Sequence, residues 1–169
     1  MDKTGGSELD IKTRIGKART AFRMMGTIWR TGTIFLNTKI SLFNFIIKSI
    51  LLYGCETWKT TKSILNKLQV FVNNCLRRII NIRWPYKIKN TDLWGKTKQI
   101  PVEQDIKKRK WRWIGHTLRK PTNSITRRAL QWNPQGKKRV GRPRNTWKRN
   151  TTHEMEKLGY KWQDLPRLA

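Results

Sequence analysis

The chain has 169 residues, which holds one domain or two small ones, and its 38 Lys and Arg against 10 Asp and Glu give a net charge of +28. A charge of that size opposes compaction unless a polyanion balances it, so a protein without a polyanionic partner is excluded as the simplest reading. Nine tryptophans also exclude a purely disordered basic tail, because such tails lack aromatics, and the combination points to a folded or partly folded basic protein that meets nucleic acid.

The first predicted element is a helix. Ile11, Ile15, Ala18, Phe22, Met25 and Trp29 recur in steps of three and four, with Lys12, Lys17, Arg19 and Arg23 on the other face. Ser7 is its expected cap, paired with Asp10 three residues later, and Gly32 lies in the break that follows. A second helix is expected over residues 38–53. Ile40, Phe43, Ile47, Ile50 and Leu51 form one stripe, and Leu42, Phe45, Ile46 and Leu52 add apolar surface elsewhere, a pattern that predicts burial on most sides. A third helix should start near Thr60 or Thr61, with Ile64, Leu68, Phe71, Cys75 and Ile79 inward. Arg77, Arg78 and Arg83 gather at its C-terminal end, where cations suit the helix dipole, and Trp84-Pro85 should stop it. Residues 8–84 then make a small three-helix bundle with short connections.

Beyond residue 84 the composition shifts. Residues 85–130 read as a basic, Trp-rich helical segment. A short helix starts at Asn90-Thr91-Asp92 and carries Leu93 and Trp94, and Pro101 suits the first turn of the next helix. That helix has Ile106, Trp113, Ile114 and Leu118 inward, and it carries the densest positive run of the chain: Lys107, Lys108, Arg109, Lys110 and Arg112. Pro121 ends it, and residues 124–130 add a further turn or two. Residues 131–169 read as a basic linker centred on Gly141-Arg142-Pro143, expected to be extended and mobile, then a terminal helix capped by Asn145 or Thr146 and closed by Gly159. No alternating strand pattern occurs, so the fold class is mainly α: a small helical bundle followed by a less compact basic helical and loop region. Residues 101–169 hold nineteen Lys and Arg against five Asp and Glu, so half of the excess charge lies there.

Two-metal nucleotidyl chemistry needs clustered carboxylates. Glu103 and Asp105, like Glu154 and Glu156, are two apart and diverge on a helix, so no catalytic residue is assigned and no enzyme activity is expected of the chain on its own. His116, His153, Cys55 and Cys75 lack any local CxxC or HxxxH spacing, so no metal site and no cofactor are expected, and the two cysteines read as reduced and buried. Gly5-Gly6 has no Walker-type continuation. Residues 1–10 are polar, and the apolar stretch 40–53 is shorter than the ~20 residues a bilayer needs and contains Lys48. No membrane, no small-molecule substrate and an intracellular site are the expectations.

The candidate nucleic-acid contacts are Lys107, Lys108, Arg109, Lys110, Arg112, His116 and Arg119 on the basic helix, where Lys and Arg neutralise phosphates without regard to sequence. Trp111 and Trp113 flank Arg112, as base-stacking groups or as core; for Trp113 core is the expectation. Lys137, Lys138, Arg139, Arg142 and Arg144 complete the set. Their Gly-Arg-Pro centre is a loose match to an A·T-hook arm for the minor groove, with Val140 where such arms carry arginine; a plain basic linker and a nuclear-import signal fit the same residues.

Several elements taken together resemble one family. Asp10-Ile11, Arg14-Ile15, Lys17-Ala18-Arg19 and Ile28-Trp29 come first, then Thr38-Lys39-Ile40 and the run Leu51-Leu52-Tyr53-Gly54-Cys55-Glu56-Thr57-Trp58. Cys75-Leu76-Arg77-Arg78-Ile79, Trp113-Ile114-Gly115-His116 with Leu118-Arg119, and Gly141-Arg142-Pro143 with Thr146-Trp147 follow. In order and spacing this resembles the thumb and post-thumb region of RTE-like, LINE-type non-LTR retrotransposon endonuclease–reverse transcriptases, along nearly the full length. The resemblance implies a fragment of a larger polymerase whose fingers, palm and endonuclease lie upstream, so none of the family's catalytic residues carries over. The chain stops soon after Trp162, which fits a truncated C-terminal end. The implied function is a non-catalytic grip on template–primer or element RNA through backbone contacts, in the nucleus during target-primed reverse transcription, with the cytoplasm as the alternative site. The implied partners are RNA, DNA or hybrid, and the parent's palm and fingers. A structural module docking on the palm, or a degenerate element copy without a cellular role, are the alternative expectations.

Overall fold

The computed structural model describes residues 7–132 and 146–165, and every regular element among them is helical. The chain forms two compact units. The first takes Met1–Cys55 and Thr60–Ile106, the second Glu56–Lys59 and Lys107–Ala169, in each case through their described residues.

In the first unit, α1 (Glu8–Met24) buries Ile11, Ala18 and Phe22, and its first turn carries Glu8 and Asp10, which suit the dipole. Ser7 occupies the cap position, yet its side chain makes no capping hydrogen bond, unlike the capping expected from the sequence. The helix breaks at Met25 and resumes as α2 (Gly26–Arg30), so the single long helix expected through Trp29 is in fact two. Trp29 spans the break: its ring stacks on Phe22 at 5.0 Å, and its indole N–H donates to the Phe22 carbonyl at 2.8 Å. One indole thus satisfies both its apolar body and its polar tip.

The next helix is α3 (Leu36–Leu42), a π-helical turn (Phe43–Lys48) and α4 (Ser49–Leu51) in direct succession. Ile40, Phe43, Ile47 and Leu51 face the core, and Leu52 is fully buried just beyond. Phe45 is 81% exposed, which corrects the expectation of burial on most sides. Phe45 is two residues from buried Phe43, about 200° around the helix, and so faces away from the inward stripe. Lys39 is buried, and its ammonium donates to the carbonyls of Trp29 at 3.1 Å and Thr31 at 2.6 Å, closing the C-terminal end of α2.

Thr61 caps α5 (Lys62–Ile79), its hydroxyl oxygen accepting from the Ile64 N–H at 3.3 Å. Ile64, Leu68, Phe71, Val72, Cys75, Leu76 and Ile79 are all buried, and each large one contributes roughly 1.5–3 kcal/mol of transfer free energy. Asn81 ends the helix, earlier than Trp84-Pro85. Its backbone takes φ of 56°, and the N–H groups of Asn81 and Ile82 close onto the carbonyls of Arg78 and Arg77 at 3.2 and 2.9 Å. Asparagine tolerates the left-handed conformation that this closure requires.

The first unit also runs past the boundary expected at residue 84. From α6 (Asn90–Thr97), Leu93 is fully buried and the Trp94 indole donates to Asn73 Oδ1 at 2.9 Å. Gln69 of α5 accepts from the Val102 N–H at 2.8 Å, at the start of α7 (Val102–Leu118). Lys48 and Asp105 pair at 2.9 Å with little exposure of either. These contacts bind the first turn of α7 to the bundle.

The second unit is built on the rest of α7, α8 (Ile125–Gln131), α9 (Trp147–Glu156) and a 3-10 turn (Trp162–Asp164). Its core is Ile114, Leu118, Leu130, Met155 and Leu165, with Trp111, Trp113, Trp147 and Trp162 packed around them, half-buried. Trp113 and Trp147 meet edge to face at 6.1 Å, and the Trp147 indole donates to the Glu56 carbonyl at 2.7 Å. Thr146 caps α9 by accepting from the Arg149 N–H at 3.2 Å. Gly159, at φ of 82°, turns the chain after α9.

Candidate nucleic-acid interface

The basic run of α7 divides by helical geometry. Lys108, Arg112, His116 and Arg119 are exposed, and their spacing of four, four and three puts them on one outward stripe. At 1.5 Å of rise per residue the stripe is about 16 Å long. No Asp or Glu occurs in α7 after Asp105, so no carboxylate of the helix interrupts it. The Arg119 guanidinium lies beside Gly115, where an added Cβ would stand 3.6 Å from its Nη1, an ordinary contact. Lys107 and Arg109 are half-buried at the flanks.

Lys110 is a correction. It is 5% exposed, and its ammonium pairs with Glu154 of α9 at 2.7 Å. The inward side of the same run supplies a structural ion pair, and a lysine held there is withdrawn from phosphate. Trp111 and Trp113 both pack on the core of this unit, which leaves the stripe itself without an exposed indole. Lys137, Lys138, Arg139, Arg142 and Arg144 lie outside the described residues.

Among the described residues no group of three or more His, Cys, Asp or Glu is placed to hold a metal ion. Cys55 and Cys75 are buried in the first unit and are not joined in a disulfide, and burial pushes the Cys75 thiol up to about 12, against the opposing pull of Arg78 and Arg19. His153 lies on the second unit, 3.7 Å from Glu156. Among the described residues no helix is long and apolar enough to cross a membrane.

Sequence reasoning missed a second cationic feature. In the first unit, α1 and α5 bound a groove of about 980 Å³ lined by Arg19, Arg23, Lys62, Lys67 and Arg78 among others. It adjoins a second stretch of about 660 Å³ with Arg30 and Arg83, the two sharing Phe22, Arg23 and Arg78. In the sequence Arg19 and Arg23 read as the outer face of the first helix, and Arg78 and Arg83 as cations at the end of the third. Only the pairing of α1 with α5 shows that the two faces look into one channel.

Comparison with known proteins adds three findings. The sequence profile of a domain of unknown function, DUF6451, matches residues 21–53. An uncharacterized transposon-derived protein of Caenorhabditis elegans is 27% identical over 115 residues, covering 64% of this chain and 41% of that protein. The chain thus spans well under half the length of that relative, and the likeness supports a transposon-related origin. No solved structure matches the chain.

Proposed function

We propose that the chain is a non-catalytic, nucleic-acid-binding portion of a non-LTR retrotransposon reverse transcriptase, which grips template–primer or element RNA through the phosphate backbone. The observation that carries this reading is the stripe of Lys108, Arg112 and His116 along α7 with Arg119 just past its end, uninterrupted by any carboxylate of that helix. Cations at helical spacing track successive phosphates and release counterions without reading bases, which is what a grip on any sequence requires. The order of motifs resembling the post-palm region of such polymerases supports the reading, as does the transposon-derived relative. The partners on this reading are RNA, DNA or their hybrid, together with the palm and fingers of a longer parent, and the site of action is the nucleus.

A second reading, a module that docks on the polymerase palm, is favoured by Phe35 and Phe45. They are 83% and 81% exposed, both within residues 21–53 that the domain profile matches. Large apolar rings left in water mark candidate contact surfaces.

One experiment separates the two. In the triple variant Lys108→Ala, Arg112→Ala, Arg119→Ala, affinity for a mixed-sequence duplex should fall at about 50 mM salt, and the slope of log K against log [salt] should become shallower by about 2–3. The loss should be the same on every duplex sequence. Wild-type affinity and slope in this variant would sink the backbone-grip reading and leave docking as the better one.

A further inference from the structure

The cationic groove of the first unit includes Arg83, an aromatic turn follows that residue directly in the chain, and the two together point to a ligand that the α7 stripe does not select. Arg23, Arg30, Arg78 and Arg83 line the stretch nearest the end of α5, and among the described residues no carboxylate lines either stretch of the groove. Directly after Arg83 the chain makes a tight turn, with the Tyr86 N–H closing on the Arg83 carbonyl at 2.9 Å. That turn displays Trp84 and Tyr86, 87% and 80% exposed. Every other described tryptophan except Trp132 is buried or half-buried. Both rings thus stand in water, next in the chain to Arg83, which lines the groove together with Arg23, Arg30 and Arg78.

We infer that this groove and turn bind single-stranded nucleic acid, with phosphates on Arg23, Arg78 and Arg83 and unpaired bases stacked on Trp84 and Tyr86. The two features select different parts of the same ligand. Guanidinium groups hold phosphate in forked, charge-assisted hydrogen bonds. Exposed rings give nothing to a base inside a duplex, because neighbouring base pairs already cover both its faces. An unpaired base has free faces, and stacking on an aromatic side chain is open to every base, so the site tolerates sequence and discriminates against pairing. RNA and DNA offer the same phosphates and base faces. The site lies wholly within the first unit, on residues other than those of the α7 stripe, and it stands whether or not that stripe grips a duplex.

The test is fluorescence anisotropy on the full chain with three labelled probes of one mixed sequence of about twelve nucleotides: single-stranded DNA, single-stranded RNA and the DNA duplex. The double variant Trp84→Ala, Tyr86→Ala should lose about tenfold or more in affinity for both single strands and less than about twofold for the duplex. Arg78→Ala with Arg83→Ala should weaken single-strand binding as well, and Trp84→Phe with Tyr86→Phe should restore it, which rules out misfolding as the cause. Loss on only one of the two single strands would overturn the claim that the site reads base faces alone, because the sugar would then be read as well. Unchanged single-strand affinity in the Trp84/Tyr86 variant, or an equal loss on strand and duplex, would overturn the inference. If the α7 triple variant alone loses duplex binding while the Trp84/Tyr86 variant binds single strands normally, the backbone grip by α7 stands and the single-strand site fails. If the Trp84/Tyr86 variant loses single strands while the α7 triple variant binds duplex normally, the single-strand site stands and the backbone grip fails.

Discussion

At the scale of single residues, the cations of this chain are not equivalent. Lys39, Lys48 and Lys110 are buried, and each holds an internal partner: two backbone carbonyls, Asp105 and Glu154. A buried ammonium must be satisfied in this way, because leaving it unpaired costs several kcal/mol, roughly. Cys75 shows the opposite response to burial. It is 4% exposed on α5, and its thiol is pushed up to about 12 from an ordinary 9.0. Near pH 8.5 its thiolate fraction should therefore be lower than in the unfolded chain by roughly a thousandfold, one factor of ten per unit. Alkylation of Cys75 by iodoacetamide, followed by peptide mass spectrometry, should be very slow in the native protein and fast in denaturant. Labelling at equal rates in both states would mean that the α5 face opens in solution. The folded state holds this proton more tightly than the unfolded state does. The contribution of Cys75 to stability is therefore present below about pH 9 and lost as pH rises from about 9 towards about 12.

At the scale of helices, α7 is the element whose two sides do different work. Its outer stripe faces solvent, while Lys110 on the inner side reaches Glu154 of α9 at 2.7 Å. Lys110→Ala should destabilise the second unit by about 2–3 kcal/mol, somewhat under the ~3–5 kcal/mol of a fully buried pair, because Glu154 keeps 21% of its side-chain surface in water. Lys108→Ala, two residues and about half a turn away on the other side, should change stability by less than about 0.5 kcal/mol. Urea titration of both variants by far-UV circular dichroism measures the contrast, and equal stabilities would show that the ion pair does not hold α7 to α9. The same helix shows where the sequence was legible. Periodicity alone placed Ile106, Ile114 and Leu118 inward, and the inward stripes of α1 and α5 likewise, because burial follows the 3.6-residue repeat. Periodicity did not separate Lys110 from Lys108, since both are lysines in an unbroken basic run, and the distinguishing partner lies forty-four residues downstream on another helix. Register errors had local causes. The first helix breaks at Met25, Phe45 stands about 200° around its helix from buried Phe43 and so faces out, and Asn81 ended α5 before the proline that advertised its end.

At the scale of the molecule, the charge of +28 acts on stability and on binding with opposite salt dependence. Like charges repel in the compact state, and added salt screens that repulsion: the Debye length falls from about 10 Å at 0.1 M to about 3 Å at 1 M. Salt also weakens the exposed ion pairs, such as Lys67 with Glu8 at 3.2 Å and Arg14 with Asp10 at 3.4 Å. Exposed pairs contribute only about 0–1 kcal/mol each, and with ten carboxylates against thirty-eight cations most cations have no acid to pair with, so repulsion should dominate. The melting temperature of the free chain should therefore rise as sodium chloride goes from about 0.1 to about 1 M, while its affinity for nucleic acid falls over the same range. A thermal scan by circular dichroism and an anisotropy titration across one salt series give both curves. Melting that falls with salt would mean that attraction between the few acids and their partners, not repulsion among the cations, sets stability. The surplus charge would then place no demand on the fold for a polyanion. Melting that rises while binding falls would show that free protein and complex are stabilised by opposite conditions, which is what a chain that depends on a nucleic-acid partner for its charge balance requires.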